Sequence, residues 1–282
     1  MICKLSSSIK KIGNSLFIIE SLLCVLVLFY SSCGKTTSQK TSDLPHTSES
    51  NIESTSIISQ ANGEFKAYKT KFPVKIDGKD EDDIWSSLNW YSMNYIWMGK
   101  AVDSSDYYGK FKLAWDSQFL YVLVEVTDDF LNPTLENGID NYWKGDYVEV
   151  FIDEDKSGGI HKFNHQAFAY HVSTEGHAID KSISEETIFL DNHVKVKRTQ
   201  EGSRHIWEMA ISLYNNEFDE NASNNIPVEI IAQKRIGFSI AYGDNDGNNE
   251  RENFMGSKKT HGINNDEGYI NSDVFGSILF ID

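Results

Sequence analysis

Proline is scarce in this chain, with four in 282 residues, and cysteine is scarcer still, with three. Basic residues are outnumbered by acidic ones, 26 to 42, for a formal net charge of −16. A surface of that sign argues against nucleic acid and anionic lipid as partners, since both repel it. The apolar run "LLCVLVLFY" (22–30) is shorter than the ~20 residues a comfortable membrane span needs. There is no nucleophile elbow, no phosphate-cradling glycine loop and no paired-histidine zinc motif. Helical stripes and internal repeats are missing too. With few prolines, this favours a single β-rich body, and the 40% hydrophobic composition can supply its core.

What is present begins with a leader. Lys4, Lys10 and Lys11 precede the apolar run, which ends at "SSCGK". A basic region, a hydrophobic region and a small-residue cleavage site make residues 1–32 an export signal. Ser31, Ser32 and Cys33 resemble a bacterial lipobox, with Tyr30 in place of the usual leucine. The resemblance implies a lipoprotein signal peptide, lipidation of Cys33 and a place in the cell envelope, touching membrane only through that anchor. Cleavage there removes Cys3 and Cys24 and moves the net charge to −18. No internal disulfide remains available, so extra stabilisation falls to the core or to bound metal. Residues 33–64, as in "KTTSQKTSDLPHTSES", read as a flexible Ser/Thr-rich tether.

Residues 65–282 carry short segments with period-two alternation between turn signals, the pattern of an all-β, antiparallel β-sandwich. Strands are expected at 109–116, 119–129, 146–153, 166–173, 193–200, 205–212, 235–244 and 274–282. "FLYVLVEV" is apolar nearly throughout, which predicts cover on both faces. "YVEVFID" is one-sided: Val148, Val150 and Ile152 face the core, while Glu149 shares its face with Tyr147 and Phe151.

Glu149 is the residue to explain. Glycoside hydrolysis needs two carboxyl groups ~5–9.5 Å apart. At ~3.3 Å per residue Asp153 is too far along the same face, and Asp146 points the other way. Glu149 therefore reads as a hydrogen-bond acceptor, and the chain as no enzyme, with a hydrolase as the lesser alternative. Histidines 161, 165, 171 and 177 read as isolated surface or core-satisfied residues. In "DNDGNNERENF" (244–254), Asp244, Asp246 and Glu250 offer the hard oxygens calcium prefers. A plain Asn/Asp/Gly turn explains the same loop without an ion. No cofactor is required; a structural calcium is the one candidate.

Six segments carry a wider resemblance: "KIDGKDEDDIW" (75–85), "FKLAWDSQFLYVLVEVTDD" (111–129), "YWKGDYVEVFIDED" (142–155), "WEMAIS" (207–212), "IGFSIAYGDNDGNNERENF" (236–254) and "FGSILFI" (275–281). In their order and spacing the chain resembles the family 9 carbohydrate-binding modules. That resemblance implies a jelly-roll β-sandwich that binds sugar without catalysis and grips a glycan end between two aromatic rings. Trp143 and Tyr269 match the rings, and Glu149 matches the glutamate that accepts from sugar hydroxyls. The arginine of the strand after the glutamate strand is missing; Gln166, Phe168 and Tyr170 share one face there and complete the predicted site. Ala241 stands where the family has a glutamine. The expected partner is carbohydrate, alongside glycan-degrading enzymes, with the chain a monomer. The alternative is a protein-interaction module of a polysaccharide-degrading system.

Overall fold

The computed structural model describes residues 59–260 and 267–282. The leader, Cys33 and the tether through residue 58 lie outside the described residues. The strands are β1 (Glu64–Lys69), β2 (Tyr91–Ser92), β3 (Tyr95–Met98), β4 (Tyr107–Trp115), β5 (Leu120–Asp128), β6 (Tyr147–Asp153) and β7 (Phe168–Ser173). They continue with β8 (Ala178–Lys181), β9 (Thr187–Phe189), β10 (Val194–Glu201), β11 (Arg204–Ile211), β12 (Arg235–Asp244), β13 (Asn253–Gly256) and β14 (Gly276–Ile281). A short helix, α1, covers Asp83–Ser87.

Local chemistry fixes the hairpins. Between β4 and β5, Asp116 Oδ1 accepts from the N–H groups of Gln118 and Phe119, both at 2.8 Å, which turns the chain and pairs Trp115 with Leu120. The strands join in the order β10-β11-β5-β4-β1-β14-β12-β6-β7-β8-β9, with β2, β3 and β13 attached at the side. Pairing is antiparallel except at β1, which lies parallel to both β14 and β4 and so links the two halves of the sheet.

The halves fold onto each other as a sandwich. Val122, Val124, Val126 and Trp207 from β5 and β11 share one core with Val148, Val150, Ile152, Phe168, Tyr170 and Val172 from β6 and β7. Burying a side chain of this kind contributes roughly 1.5–3 kcal/mol. β5 is covered on both faces, as its unbroken apolar run predicts: Tyr121 and Leu123 pack outward under Trp85 of α1. Glu208 of β11 fastens that covering strap, accepting from the N–H groups of Asp77 (2.8 Å) and Gly78 (2.9 Å) and from Trp85 Nε1 (2.9 Å).

The outer face of the other half carries a separate cluster of Trp97, Tyr147, Phe151, Ala167, Ala169, Ala241, Phe254 and Phe275. Two glycines let its rings lie flat. A Cβ on Gly243 would meet the Tyr147 ring at 2.5 Å, and one on Gly256 the Trp97 ring at 1.9 Å. This cluster is the floor on which the functional site is built.

Candidate functional site

A cleft of about 460 Å³ opens on this outer face, within the range of small-ligand sites. Glu149 lies in its floor, 1% exposed, between Ala241 on β12 and His171 on β7, its direct cross-strand partners. Ala169, the cross-strand partner of Phe151, continues the floor. The small residues Ala167 and Ala169 leave space above the sheet that larger side chains would fill.

His171 Nε2 lies 3.4 Å from Glu149 Oε2. Burial, with help from the Arg251 charge, holds the imidazole down at about 3, so it faces the carboxylate as a neutral ring. Tyr142 and Tyr147 clasp that ring with centroids at 4.6 and 4.5 Å. Arg251, from the loop 245–252, donates to the Tyr147 hydroxyl and lies 4.2 Å from the Phe254 ring centroid. The cleft therefore has a guanidinium, supplied by a different element from the one the sequence resemblance implies.

The walls come from loops. Trp143 follows Tyr142, their rings meeting edge to face at 5.4 Å, and it is half-buried at the rim. Tyr269, 40% exposed, stands on the segment that returns to β14. His161 ties that segment down through Nε2 and the Gly268 carbonyl, 2.7 Å apart, and Lys162 places its ammonium 5.1 Å from the Tyr269 ring centroid. Asp180 and Lys181 of β8 close the far side. Burial pushes the Asp180 carboxyl up to about 7, and its oxygens accept from the backbone N–H groups of Ala169 (3.1 Å) and Lys181 (2.7 Å).

Of the predicted ligand-binding residues, the structure brings Trp143, Glu149 and Tyr269 together in the cleft. It does not bring Phe168 or Tyr170, whose side chains are in the central core, stacked on each other at 5.2 Å. Gln166 is exposed and outside the cleft. The reason is register: Glu149 pairs with His171, so the odd-numbered residues of β7 face the cleft. The bulk pattern was the available signal, because Phe168, Tyr170 and Val172 form the same kind of apolar row as Val148, Val150 and Ile152 on β6. Sequence reasoning also missed Tyr142, His161, His171, Asp180 and Arg251. Loops and cross-strand pairing position these, and alternation along one strand carries no trace of that.

The predicted cation ligands divide. Asp244 and Asp246 stand together with Asp128, one carboxylate oxygen of each within 4.8 Å of the others. Glu250 belongs elsewhere: it lines the cleft and pairs with Lys144 at 2.9 Å. Asp128 comes from the end of β5, far away in sequence, which is why the loop alone did not reveal it. Asp244 is 1% exposed, and neither of its carboxylate oxygens has a hydrogen-bond partner. Burial and the charges of Asp128, Asp106 and Asp246 push its carboxyl up to about 8. Burial raises Asp128 to about 6. An orphaned buried carboxylate among like charges fits a hard divalent cation, for which oxygen donors are the preferred ligands.

The comparisons with known proteins agree with this architecture. Residues 76–282 match the family described as "Carbohydrate family 9 binding domain-like". A family 9 carbohydrate-binding module from Caldicellulosiruptor kristjanssonii in complex with cellotriose superposes with a TM-score of 0.55 at 23% identity, over 77% of this chain and 93% of that one. The same module with glucose gives 0.54 at 22%, over 76% and 95%. At that identity the likeness is one of fold. Among curated proteins, Endo-1,4-beta-xylanase C of Paenibacillus barcinonensis is 27% identical over 208 residues, 73% of this chain and 16% of the enzyme. Exoglucanase XynX of Acetivibrio thermocellus is 34% identical over 101 residues, 36% of this chain and 8% of the enzyme. The chain thus corresponds to a small part of each enzyme's length. Family match, fold and cleft agree: this chain belongs to the carbohydrate family 9 binding domains.

Proposed function

We propose that this is a non-catalytic binding domain that holds a sugar in the cleft between Trp143 and Tyr269, on an exported lipoprotein anchored through Cys33. The observation that carries the reading is Glu149, a carboxylate set in an alanine-lined floor with aromatic side chains at the rim. A pyranose offers apolar C–H faces to rings and hydroxyls to acceptors, and this arrangement supplies both. Arg251 and Lys162 add donors. The domain would keep polysaccharide beside separate glycan-degrading enzymes, an inference supported by the relatives named above.

Calorimetric titration with glucose and cellotriose tests the reading. Wild type is expected to give binding heat, and Trp143→Ala to weaken it at least tenfold, about 1.4 kcal/mol or more. No heat with any of a broad glycan panel would sink it. Capture of a protein partner that depends on Trp143 but not on sugar would replace it with a protein-docking role. Release of reducing sugar that disappears in Glu149→Gln would replace it with a hydrolase. The anchor has its own test: radiolabelled palmitate should enter the wild-type protein in cells and fail to enter Cys33→Ala.

The acidic triad supports a second reading. Asp128, Asp244 and Asp246 would hold a calcium ion, whose charge would relieve the crowding of buried carboxylates.

A further inference from the structure

We propose that the cleft is built for a sugar that carries an anionic substituent, a uronate carboxylate or a sulfate ester, received by Lys162 beside Tyr269. The inference rests on the sugar-binding reading and narrows it to a class of ligand.

The cleft is rich in charge, and most of that charge is already engaged. Glu250 pairs with Lys144 at 2.9 Å. The Lys181 ammonium donates to Thr187 Oγ1 at 2.8 Å, and its charge acts on the neighbouring Asp180 carboxyl. Arg251 donates to the Tyr147 hydroxyl. Lys162 differs. Among the described residues its ammonium meets no acceptor and no carboxylate; its partners are the rings of Phe163 and Tyr269, with centroids at 4.9 and 5.1 Å. A ring face attracts a cation without neutralising it and leaves its three N–H donors free to bond.

The fold holds that ammonium in place. Ile160 bridges to Asn271, and the N–H groups of His161 and Lys162 both reach the Ile270 carbonyl, at 2.8 and 3.3 Å. With the contact of His161 on the Gly268 carbonyl, these bonds tie the segment carrying Lys162 to the one carrying Tyr269. Phe163 then takes φ +60°, a left-handed conformation that a bulky side chain enters only under constraint. The turn around it supplies the constraint. Asn164 N donates to the His161 carbonyl at 3.0 Å, the Asn164 amide to the Ile160 carbonyl at 3.1 Å, and Asn164 Oδ1 accepts from Gln166 N at 3.0 Å. Among the described residues, Phe163 is the one non-glycine residue lining the cleft with such a φ. Its strained turn sets a second ring against Lys162.

A bond from an ammonium to an anion is roughly twice as strong as one to a neutral hydroxyl. Stacking on Trp143 and Tyr269 would hold a pyranose in either case, so the substituent decides between an acidic sugar and its neutral counterpart. The chain as a whole, at −16, repels anions. A preference for the charged sugar therefore has to come from the cleft itself.

The test is calorimetric titration of the full-length protein with sugars matched in their ring: glucose against glucuronic acid and glucose 6-sulfate, and galactose against galacturonic acid. At least one acidic member should bind about tenfold more tightly than its neutral counterpart at about 0.01 M salt, and the difference should shrink at about 1 M, where screening reaches ~3 Å. Which acidic member gains distinguishes carboxylate from sulfate. Lys162→Met keeps an apolar stem on the two rings without the charge and should bring acidic and neutral members to equal affinity; Lys162→Arg should keep the difference. Wild type that binds neutral sugars and prefers no acidic member overturns this proposal and leaves the sugar reading standing. No heat from any sugar overturns both. A preference that persists undiminished in Lys162→Met assigns the anion to another residue and overturns the proposal as well.

Discussion

The side chains of β7 show how little separates a core residue from a site residue. Phe168 and Ala169 are neighbours, yet one packs in the sandwich interior and the other floors the cleft. Their substitutions should therefore fail in opposite ways. Phe168→Ala removes a buried ring and should cost about 3–5 kcal/mol of stability, read as a lower urea midpoint, with sugar affinity unchanged in the fraction that stays folded. Ala169→Leu should cost less stability, about 1–3 kcal/mol, and abolish cellotriose heat, because its added carbons fill the cleft floor beside Glu149. The reverse pattern would put Phe168 back in the site. Arg251 occupies an intermediate position: its guanidinium serves the cleft but is carried by a loop, so its contribution depends on how firmly that loop is held.

At the level of elements, the strap across the outer face of β4, β5 and β11 illustrates a buried charge doing structural work. Glu208 is fully buried and accepts three N–H groups, two from the backbone and one from Trp85. Glu208→Ala would leave those donors without a partner, each costing about 1–3 kcal/mol when buried. Thermal unfolding should fall by about 6 °C or more, since 1 kcal/mol is worth about 2–4 °C in a domain this size. Cellotriose affinity should not change, the strap being on the opposite outer face from the cleft. This residue and others show what was legible in the sequence. Eight of the nine strands of six residues or more were, all but β1, because alternation and turn residues are local signals. So was the orientation of Glu149, which follows from the apolar row of Val148, Val150 and Ile152. The short strands β2, β3, β8, β9 and β13 were not, since two to four residues carry too little alternation. Neither was the parallel placement of β1, which depends on contacts with β14 at the far end of the chain. The site was half legible for the same reason: Trp143, Glu149 and Tyr269 sit in recognisable motifs, whereas His171 and Arg251 reach the cleft through register and loop path.

For the whole molecule, the buried histidines set the response to acid. His171 and His193 are held at about 3 and His205 at about 4, in each case by burial first. In the unfolded chain they would titrate near 6.5. Their depressed values mean that the folded state refuses protons the unfolded chain accepts. The stability they contribute is complete above about pH 6.5 and is lost as pH falls toward 3. The raised carboxyls act with the opposite sign. Asp146, at about 9, and Asp180, at about 7, are more easily kept protonated in the fold, so they favour it at low pH and weaken it as pH rises. A bare stability profile mixes these contributions, and a variant separates them. His193 is fully buried, with its Nδ1 2.9 Å from the Tyr170 hydroxyl and its ring stacked on Tyr214. His193→Gln should lower stability at neutral pH by losing that packing. It should also shrink the difference between urea-derived stabilities at about pH 7 and about pH 4 by as much as about 3 kcal/mol, the linkage from one such histidine over that interval. An unchanged difference would mean that His193 takes up its proton inside the fold, and that burial there does not exclude charge.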